Sequence, residues 1–100
     1  MKIVWTNGCF DVLHRGHIEM FKYARSLGDK LIVGLDTDEK VKLAKGADRP
    51  FNTLEDREFL VRSIRYVDET ISFSSKSDLE SLIKSIKPDI LVVGSDWEGK

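Results

Sequence analysis

Short apolar segments recur along this chain and are separated by segments with helical spacing. Residues 3–6 (IVWT), 31–35 (LIVGL) and 90–94 (ILVVG) are almost entirely apolar. Such runs are typical of strands buried on both faces, as in a parallel sheet that is covered by helices on both sides. Residues 69–73 (ETISF) add an alternating, strand-like segment. The pattern predicts the order β-α-β-α-α-β-α-β, an α/β fold with a three-layer, Rossmann-like parallel sheet.

The predicted helices are bounded by capping residues and breakers. Asn7-Gly8 ends the first strand, and Gly28-Asp29 ends a first helix over 16–27. The N-cap of the second, short helix is Thr37 or Asp38, and the N-cap of the third helix is Thr53. The fourth helix begins at Ser77 or Asp78 and ends at Pro88. In the third helix we expect the buried side to be supplied by Leu54, Phe59, Leu60, Ile64 and Val67. A loop is predicted over 45–52, where a glycine and a proline fall.

Composition limits the function classes. One hundred residues correspond to one small domain, 1–100. Sixteen Lys plus Arg against seventeen Asp plus Glu give a net charge of −1, which argues against a general binder of nucleic acid or membrane surfaces. The single cysteine, Cys9, excludes an intrachain disulfide and fits a reducing cytoplasm. No apolar run approaches the roughly 20 residues of a membrane span. We therefore expect a cytoplasmic domain with no nucleic-acid or membrane partner.

Both histidines of the chain lie in one short turn after the first strand. His14 and His17 are three residues apart and flank Gly16. Residues at this spacing share one face of a helical turn. A helix N-terminus has free backbone N–H groups and a positive dipole, so it suits an anion such as phosphate. Gly8 allows the backbone to approach a ligand closely. The turn is therefore a candidate phosphate site in which imidazoles donate hydrogen bonds to the anion.

Two other interpretations of the histidines remain open. They can be unrelated polar residues on a solvated helix start, or they can be zinc ligands with Cys9 as a third ligand. Polar clusters also follow two other strands, at residues 36–38 and 94–97. Because the carboxyl ends of parallel strands meet at one edge of the sheet, we expect these clusters to converge with the histidine turn.

The stretch "GCFDVLHRGH", residues 8–17, resembles the H-x-G-H signature of the cytidylyltransferase-like nucleotidyltransferases. The resemblance implies transfer of a nucleoside monophosphate from a nucleoside triphosphate to a phosphorylated alcohol or sugar, with release of pyrophosphate. It implies that His14 and His17 contact the triphosphate and act at the α-phosphorus. No covalent enzyme intermediate is expected, so positioning and charge neutralisation supply most of the rate.

The same resemblance suggests roles for other residues. Lys45 is the first candidate for a catalytic cation, with Lys42 as the neighbour that could replace it. The expected nucleotide-binding residues are Gly8, Cys9, Phe10, Gly16 and Asp96, of which Phe10 is expected mainly to pack. The expected substrate-binding residues are Asp11, Asp38 and Arg57, with bracing of the loop as an alternative for Arg57. Mg²⁺ is expected to arrive with the triphosphate, and no protein metal site is predicted.

Two branches of the family compete. "TNGCFD", "GDKLIVGLDTD" and "RPFNTLEDR" resemble the nucleotidyltransferase domain of bacterial ADP-heptose synthases, which use ATP and heptose 1-phosphate. "RYVDE" and "GSDWEGK" resemble glycerol-3-phosphate cytidylyltransferases, which use CTP. The longer match favours the heptose type. Relatives of this kind often dimerise, so a homodimer is an expectation.

The chain has no match to the second triphosphate-binding signature of such relatives, of the R-x-x-x-x-S-T-T type. The alternating pattern stops at Lys100, so we expect a truncated domain that lacks a final strand and helix. A nucleotide-binding module without catalysis, and a structural α/β domain, are therefore the competing function classes.

Overall fold

A computed structural model of the protein describes residues 1–92. The elements within that range are β1 (Ile3–Gly8), α1 (Arg15–Ser26), β2 (Lys30–Asp36), α2 (Asp38–Lys45), α3 (Leu54–Arg62), β3 (Glu69–Phe73), α4 (Lys76–Ile86) and β4 (Ile90–Leu91). The strands pair in parallel in the order β3-β2-β1-β4. This confirms the predicted order of elements and the Rossmann-like parallel sheet.

The strand order places the end of β1 at a reversal of the chain path. The chain steps from β1 to β2 to β3 in one direction and then returns past β1 to β4. Because such crossovers are right-handed, the helices before β3 lie on one face of the sheet and α4 lies on the other. Ligands of open α/β sheets bind outside the carboxyl ends of the strands at this kind of reversal. The turn after Gly8 therefore lies where the fold favours a site.

The main core lies between the sheet and the helices α1 and α3. It is formed by buried side chains from β1, the turn after β1, β2 and both helices, namely Val4, Phe10, Met20, Phe21, Ala24, Leu31, Val33, Leu35 and Val61. On the opposite face, the Trp5 ring lies over Gly34 beside Phe73, and a Cβ at Gly34 would approach that ring to 2.6 Å. A side chain at position 34 would therefore displace a fully buried tryptophan.

Three details of the predicted boundaries are wrong. Asn7 and Gly8 continue β1 instead of stopping it, because Gly34 and Leu35 of β2 lie opposite them in the parallel ladder. The N-cap of α4 is Ser75, whose hydroxyl accepts the N–H of Asp78, rather than Ser77 or Asp78. Lys45 was expected to begin the loop, but α2 extends through this residue. Thr37 and Thr53 cap α2 and α3 as predicted.

The buried side of α3 also differs from the prediction. Phe59 is 65% exposed and Leu60 is 45% exposed, whereas Arg57 and Val61 are completely buried. The predicted packing of Phe59 and Leu60 is therefore wrong. The helix is rotated so that the Arg57 guanidinium enters the interior, where it finds several acceptors.

Within residues 1–92, no helix is long and apolar enough to cross a lipid bilayer. The predicted last strand over 90–94 is described only as Ile90–Leu91, and residues 94–97 of the third polar cluster lie outside the described part.

Candidate functional site: the histidine turn

The turn between β1 and α1 is held by its own histidines. His14 is the N-cap of α1, and its Nδ1 accepts the N–H of Gly16 at 3.0 Å. The Nδ1 atom of His17 accepts the N–H of His14 at 3.2 Å. His14 therefore replaces the serine, threonine or aspartate that usually caps a helix, and His17 replaces the glutamate or glutamine of a capping box.

This capping fixes the tautomer of both neutral rings. A nitrogen that accepts an N–H has no proton of its own, so in a neutral imidazole the proton is on Nε2. Within residues 1–92, neither Nε2 donates to another protein atom, and no fully enclosed side-chain nitrogen or oxygen lacks a partner. Among residues 1–92, the turn therefore offers two imidazole N–H donors that have no protein acceptor.

The two rings and Phe10 form one packed unit. The His14 and His17 ring centroids are 4.0 Å apart at an interplanar angle of 31°. Phe10 meets His17 edge-on at 5.4 Å and contacts Phe21 of α1 at 5.2 Å. Its φ is +52°, a conformation that a bulky residue rarely adopts. Such strain persists only where the surroundings hold it, which is common at functional sites. Here it directs the ring against His17.

Burial lowers the pKa of His17 below its ordinary value of 6.5, and the adjacent His14 lowers it further. The side chain is only 8% exposed, so its charged form loses most of its hydration. His17 is therefore neutral at neutral pH. A neutral ring still donates a hydrogen bond from Nε2 to an anion.

Stability is expected to depend on pH through His17. The unfolded chain binds a proton on this residue below pH 6.5, while the folded chain resists it, so the free energy of unfolding should fall as the pH drops from about 7.5 to about 5.5. Urea unfolding at the two pH values measures the change, and His17→Gln is the matched variant because glutamine does not titrate. The same slope in this variant and in the unmodified protein would contradict the assignment to His17.

Asp11 connects the histidine turn to the loop before α3. Its Oδ2 accepts the Phe51 N–H at 2.7 Å and the Arg49 Nε–H at 2.9 Å, and its Oδ1 accepts the Asn52 N–H at 2.8 Å. Burial alone would raise the pKa of Asp11, but the hydrogen bonds from Phe51, Asn52 and Arg49 outweigh it and lower the pKa below 3.8. The carboxylate therefore stays charged and holds the loop in place.

Arg57 ties together the ends of β1 and β2. The side chain is fully buried, and its Nη1 donates to the carbonyls of Cys9 and Asp36 at 2.9 and 2.8 Å. Its Nε donates to the Asn52 carbonyl at 3.0 Å, and its Nη2 pairs with Asp38 at 2.6 Å. This is the bracing expected as the alternative. Both Asp11 and Arg57 bind the protein itself, and the substrate contacts predicted for them stay predictions.

Cys9 is a buried thiol directly after β1, and Lys45 is an exposed residue at the end of α2. Burial raises the pKa of the Cys9 thiol above 9.0, against the lowering effect of the Arg57 and Lys45 charges. The thiol is therefore protonated at neutral pH and is not an activated nucleophile. The Lys45 charge acts in the same direction as the Arg57 charge but more weakly, and Lys45 lies on the exposed end of α2.

The structure thus brings most of the predicted residues to one sheet edge. Gly8, Cys9 and Phe10 are buried behind the turn, Gly16 is half-buried, His14 is exposed, and Asp38 lies beside Arg57. Asp96 lies outside the described residues. Sequence reasoning missed Arg49 and Asn52 as partners of Asp11. A buried carboxylate requires donors, but the sequence does not show that they lie 38 to 41 residues away.

Among the described residues, no group of three histidine, cysteine, aspartate or glutamate side chains is placed to hold a metal ion. The nearby carboxylates already have partners, since Asp11 binds the loop and Asp38 binds Arg57. These residues do not form a resident magnesium site.

The fold and the histidine turn agree with a comparison against known protein families. Residues 5–99 match the family model described as "Cytidylyltransferase-like". The chain belongs to the cytidylyltransferase-like family, which agrees with the resemblance of residues 8–17.

Individual proteins similar to this chain include curated relatives and a solved structure. The chain is 52% identical over 99 residues to the "Bifunctional protein HldE" of Helicobacter hepaticus and 50% identical over 99 residues to the protein of the same name from Aliarcobacter butzleri. It aligns over 99% of its own length but spans only 20% and 21% of theirs. The crystal structure of the lipopolysaccharide core biosynthesis protein from Thermoplasma volcanium matches with a TM-score of 0.81 and 31% identity, covering 91% of this chain and 72% of that one.

Proposed function

We propose that this protein transfers a nucleoside monophosphate from a nucleoside triphosphate to a sugar phosphate, with ATP and heptose 1-phosphate as the preferred pair. The observation that carries the proposal is the pair of Nε2–H donors on His14 and His17 at the N-terminus of α1. The similarity to proteins named HldE and to a lipopolysaccharide core biosynthesis protein supports a sugar phosphate as acceptor.

The proposed step is one displacement at the α-phosphorus. An oxygen of the acceptor phosphate forms a bond to this atom, the bond to the bridging α–β oxygen breaks, and pyrophosphate leaves with the electron pair. His14 and His17 donate hydrogen bonds to phosphate oxygens as negative charge moves onto them. Lys45, the catalytic cation expected from the family resemblance, supplies positive charge for the triphosphate. Magnesium bound to the triphosphate neutralises part of its charge.

The fold prepares the donors in advance. The backbone N–H groups of Gly16 and His14 hold the two rings in one orientation, and Phe10 supports the buried ring. Donors that do not reorient when charge develops contribute most to catalysis. Asp11 and Arg57 keep the neighbouring loop and strand ends in position, so we assign them as positioning residues.

The test is a matrix of substrates. The protein is incubated with magnesium, ATP or CTP, and heptose 1-phosphate or glycerol 3-phosphate, and pyrophosphate is measured. We expect the highest rate with ATP and heptose 1-phosphate. CTP with glycerol 3-phosphate as the best pair would replace this proposal with a glycerol-3-phosphate cytidylyltransferase. Binding of nucleotide in calorimetry without pyrophosphate from any pair would identify a nucleotide-binding module instead.

A further inference from the structure

A pocket between α2 and the segment that precedes α3 takes no part in the proposed transfer step. It measures about 150 Å³ and is lined by Asp38, Lys42, Pro50, Phe51 and Thr53. A cavity of about this volume admits a single six-membered ring, whereas clefts for whole drug-sized ligands start at roughly 300 Å³. The pocket is therefore too small for a nucleotide and matches one ring of a ligand.

The lining combines hydrogen-bonding groups with one aromatic ring. Asp38 uses Oδ1 to pair with Arg57, and within residues 1–92 its Oδ2 has no partner. The Thr53 Oγ accepts the Asp56 N–H, which leaves its own hydroxyl proton to donate. Lys42 forms no ion pair within the described part of the chain. A carboxylate, a hydroxyl and an ammonium together complement a ligand that carries several hydroxyl groups.

Phe51 adds a flat apolar wall. The Arg49 guanidinium lies 4.5 Å from the ring centroid and steadies the ring, yet the Phe51 side chain remains 67% exposed. The negative face of an aromatic ring attracts groups with positive edges, such as the C–H groups of a sugar ring. An acyclic three-carbon polyol has no comparable face. This wall therefore distinguishes a cyclic ligand from a linear one.

The pocket is connected to the histidine turn by short, buried links. Asp11 accepts the N–H of Phe51, so the aromatic wall is fixed to the segment that begins the turn. Asp38 pairs with Arg57, and Arg57 donates to the carbonyl of Cys9, which lies five residues before His14 in the chain. A ligand ring in the pocket would thus lie beside the residues proposed to act on phosphate.

We propose that this pocket, formed by Asp38, Lys42, Phe51 and Thr53, binds the sugar ring of the acceptor and selects cyclic over acyclic phosphates. The proposal rests on the proposed function and names the part of the site that receives the acceptor. The Asp38 Oδ2 and the Thr53 hydroxyl bind sugar hydroxyls, Lys42 balances the carboxylate charge, and Phe51 stacks on the ring. The acceptor phosphate extends towards the histidine turn.

Phe51→Ala tests the aromatic wall, with Phe59→Ala as the matched control because that ring is 65% exposed on α3 and does not line the pocket. We expect Phe51→Ala to raise the KM for heptose 1-phosphate about tenfold. The KM for ATP and the kcat should change little, and Phe59→Ala should match the unmodified protein.

Lys42→Ala should also raise the KM for the sugar phosphate, whereas Lys22→Ala on α1 should not. An increase in the KM for ATP instead would overturn the assignment.

A binding measurement separates this proposal from the reaction. Heptose 1-phosphate and, separately, glycerol 3-phosphate are titrated into the unmodified protein while backbone amide resonances are recorded. Shifts centred on Lys42, Phe51 and Thr53 with the sugar phosphate only would support the pocket even if no pyrophosphate were ever formed. Pyrophosphate formation with shifts elsewhere, or equal shifts with both ligands, would overturn the pocket and leave the proposed function standing.

Discussion

Replacing His17 with asparagine is expected to lower the rate of nucleotidyl transfer about 100-fold to 1000-fold, the usual cost of removing one preorganised donor. The asparagine Oδ1 can occupy the position of Nδ1 and still accept the His14 N–H. The donor at Nε2 is lost. Loss of the edge contact with Phe10 should lower the free energy of unfolding by about 1 kcal/mol, so the variant should remain folded.

His17→Gln is the matched variant for this prediction. The glutamine amide nitrogen reaches the position of Nε2 and retains a donor, but it leaves the His14 N–H without its acceptor. We expect it to retain more activity than His17→Asn and to be less stable. Pyrophosphate release and urea unfolding, measured on both variants, check the two expectations. Equal activities for the two variants would mean that the Nε2 donor is not what the reaction uses.

The second large effect is on stability. Arg57→Met should lower the free energy of unfolding by about 3–5 kcal/mol, the usual cost of removing one partner of a buried charged network. The substitution leaves the carbonyls of Cys9, Asp36 and Asn52 without their donor and Asp38 without its partner. Total stabilities of small domains are about 5–15 kcal/mol, so this loss is a large fraction of the whole.

Arg62→Met on the same helix is the control, because Arg62 is exposed at the end of α3. It should change the unfolding free energy by less than about 0.5 kcal/mol. If Arg57→Met fails to fold, Arg57→Lys keeps the charge with fewer donors and should give an intermediate loss. Urea unfolding of all variants measures the differences. A decrease in the unfolding free energy of less than about 1 kcal/mol for Arg57→Met would show that the buried guanidinium contributes little to stability.

The order of strands and helices followed from the sequence because it depends on local signals. Continuous apolar runs require burial on both faces, and Thr37 and Thr53 cap the helices that follow them. The orientation of α3 did not follow, since apolar spacing favoured Phe59 and Leu60 over an arginine. Burying Arg57 is favourable only when Cys9, Asp36 and Asn52 supply acceptors, and those contacts depend on the tertiary structure.

The histidine turn was identifiable because its residues are adjacent in the chain. The spacing of His14 and His17 predicts a shared face, and their centroids lie 4.0 Å apart. The capping by both Nδ1 atoms could not be inferred, because it requires the backbone directions at the start of α1. The roles of Lys45 and Asp38, the domain boundaries 1–100 and the homodimer stay predictions.

The most direct measurement concerns the imidazole nitrogens themselves. With ¹⁵N-labelled histidine, the nitrogen resonances of His14 and His17 are recorded near neutral pH, before and after addition of magnesium and an α,β-methylene analogue of ATP. We predict that the neutral rings carry their protons on Nε2, and that both Nε2 resonances shift when the triphosphate binds. A proton on either Nδ1, or Nε2 resonances that stay in place at saturating triphosphate, would contradict it.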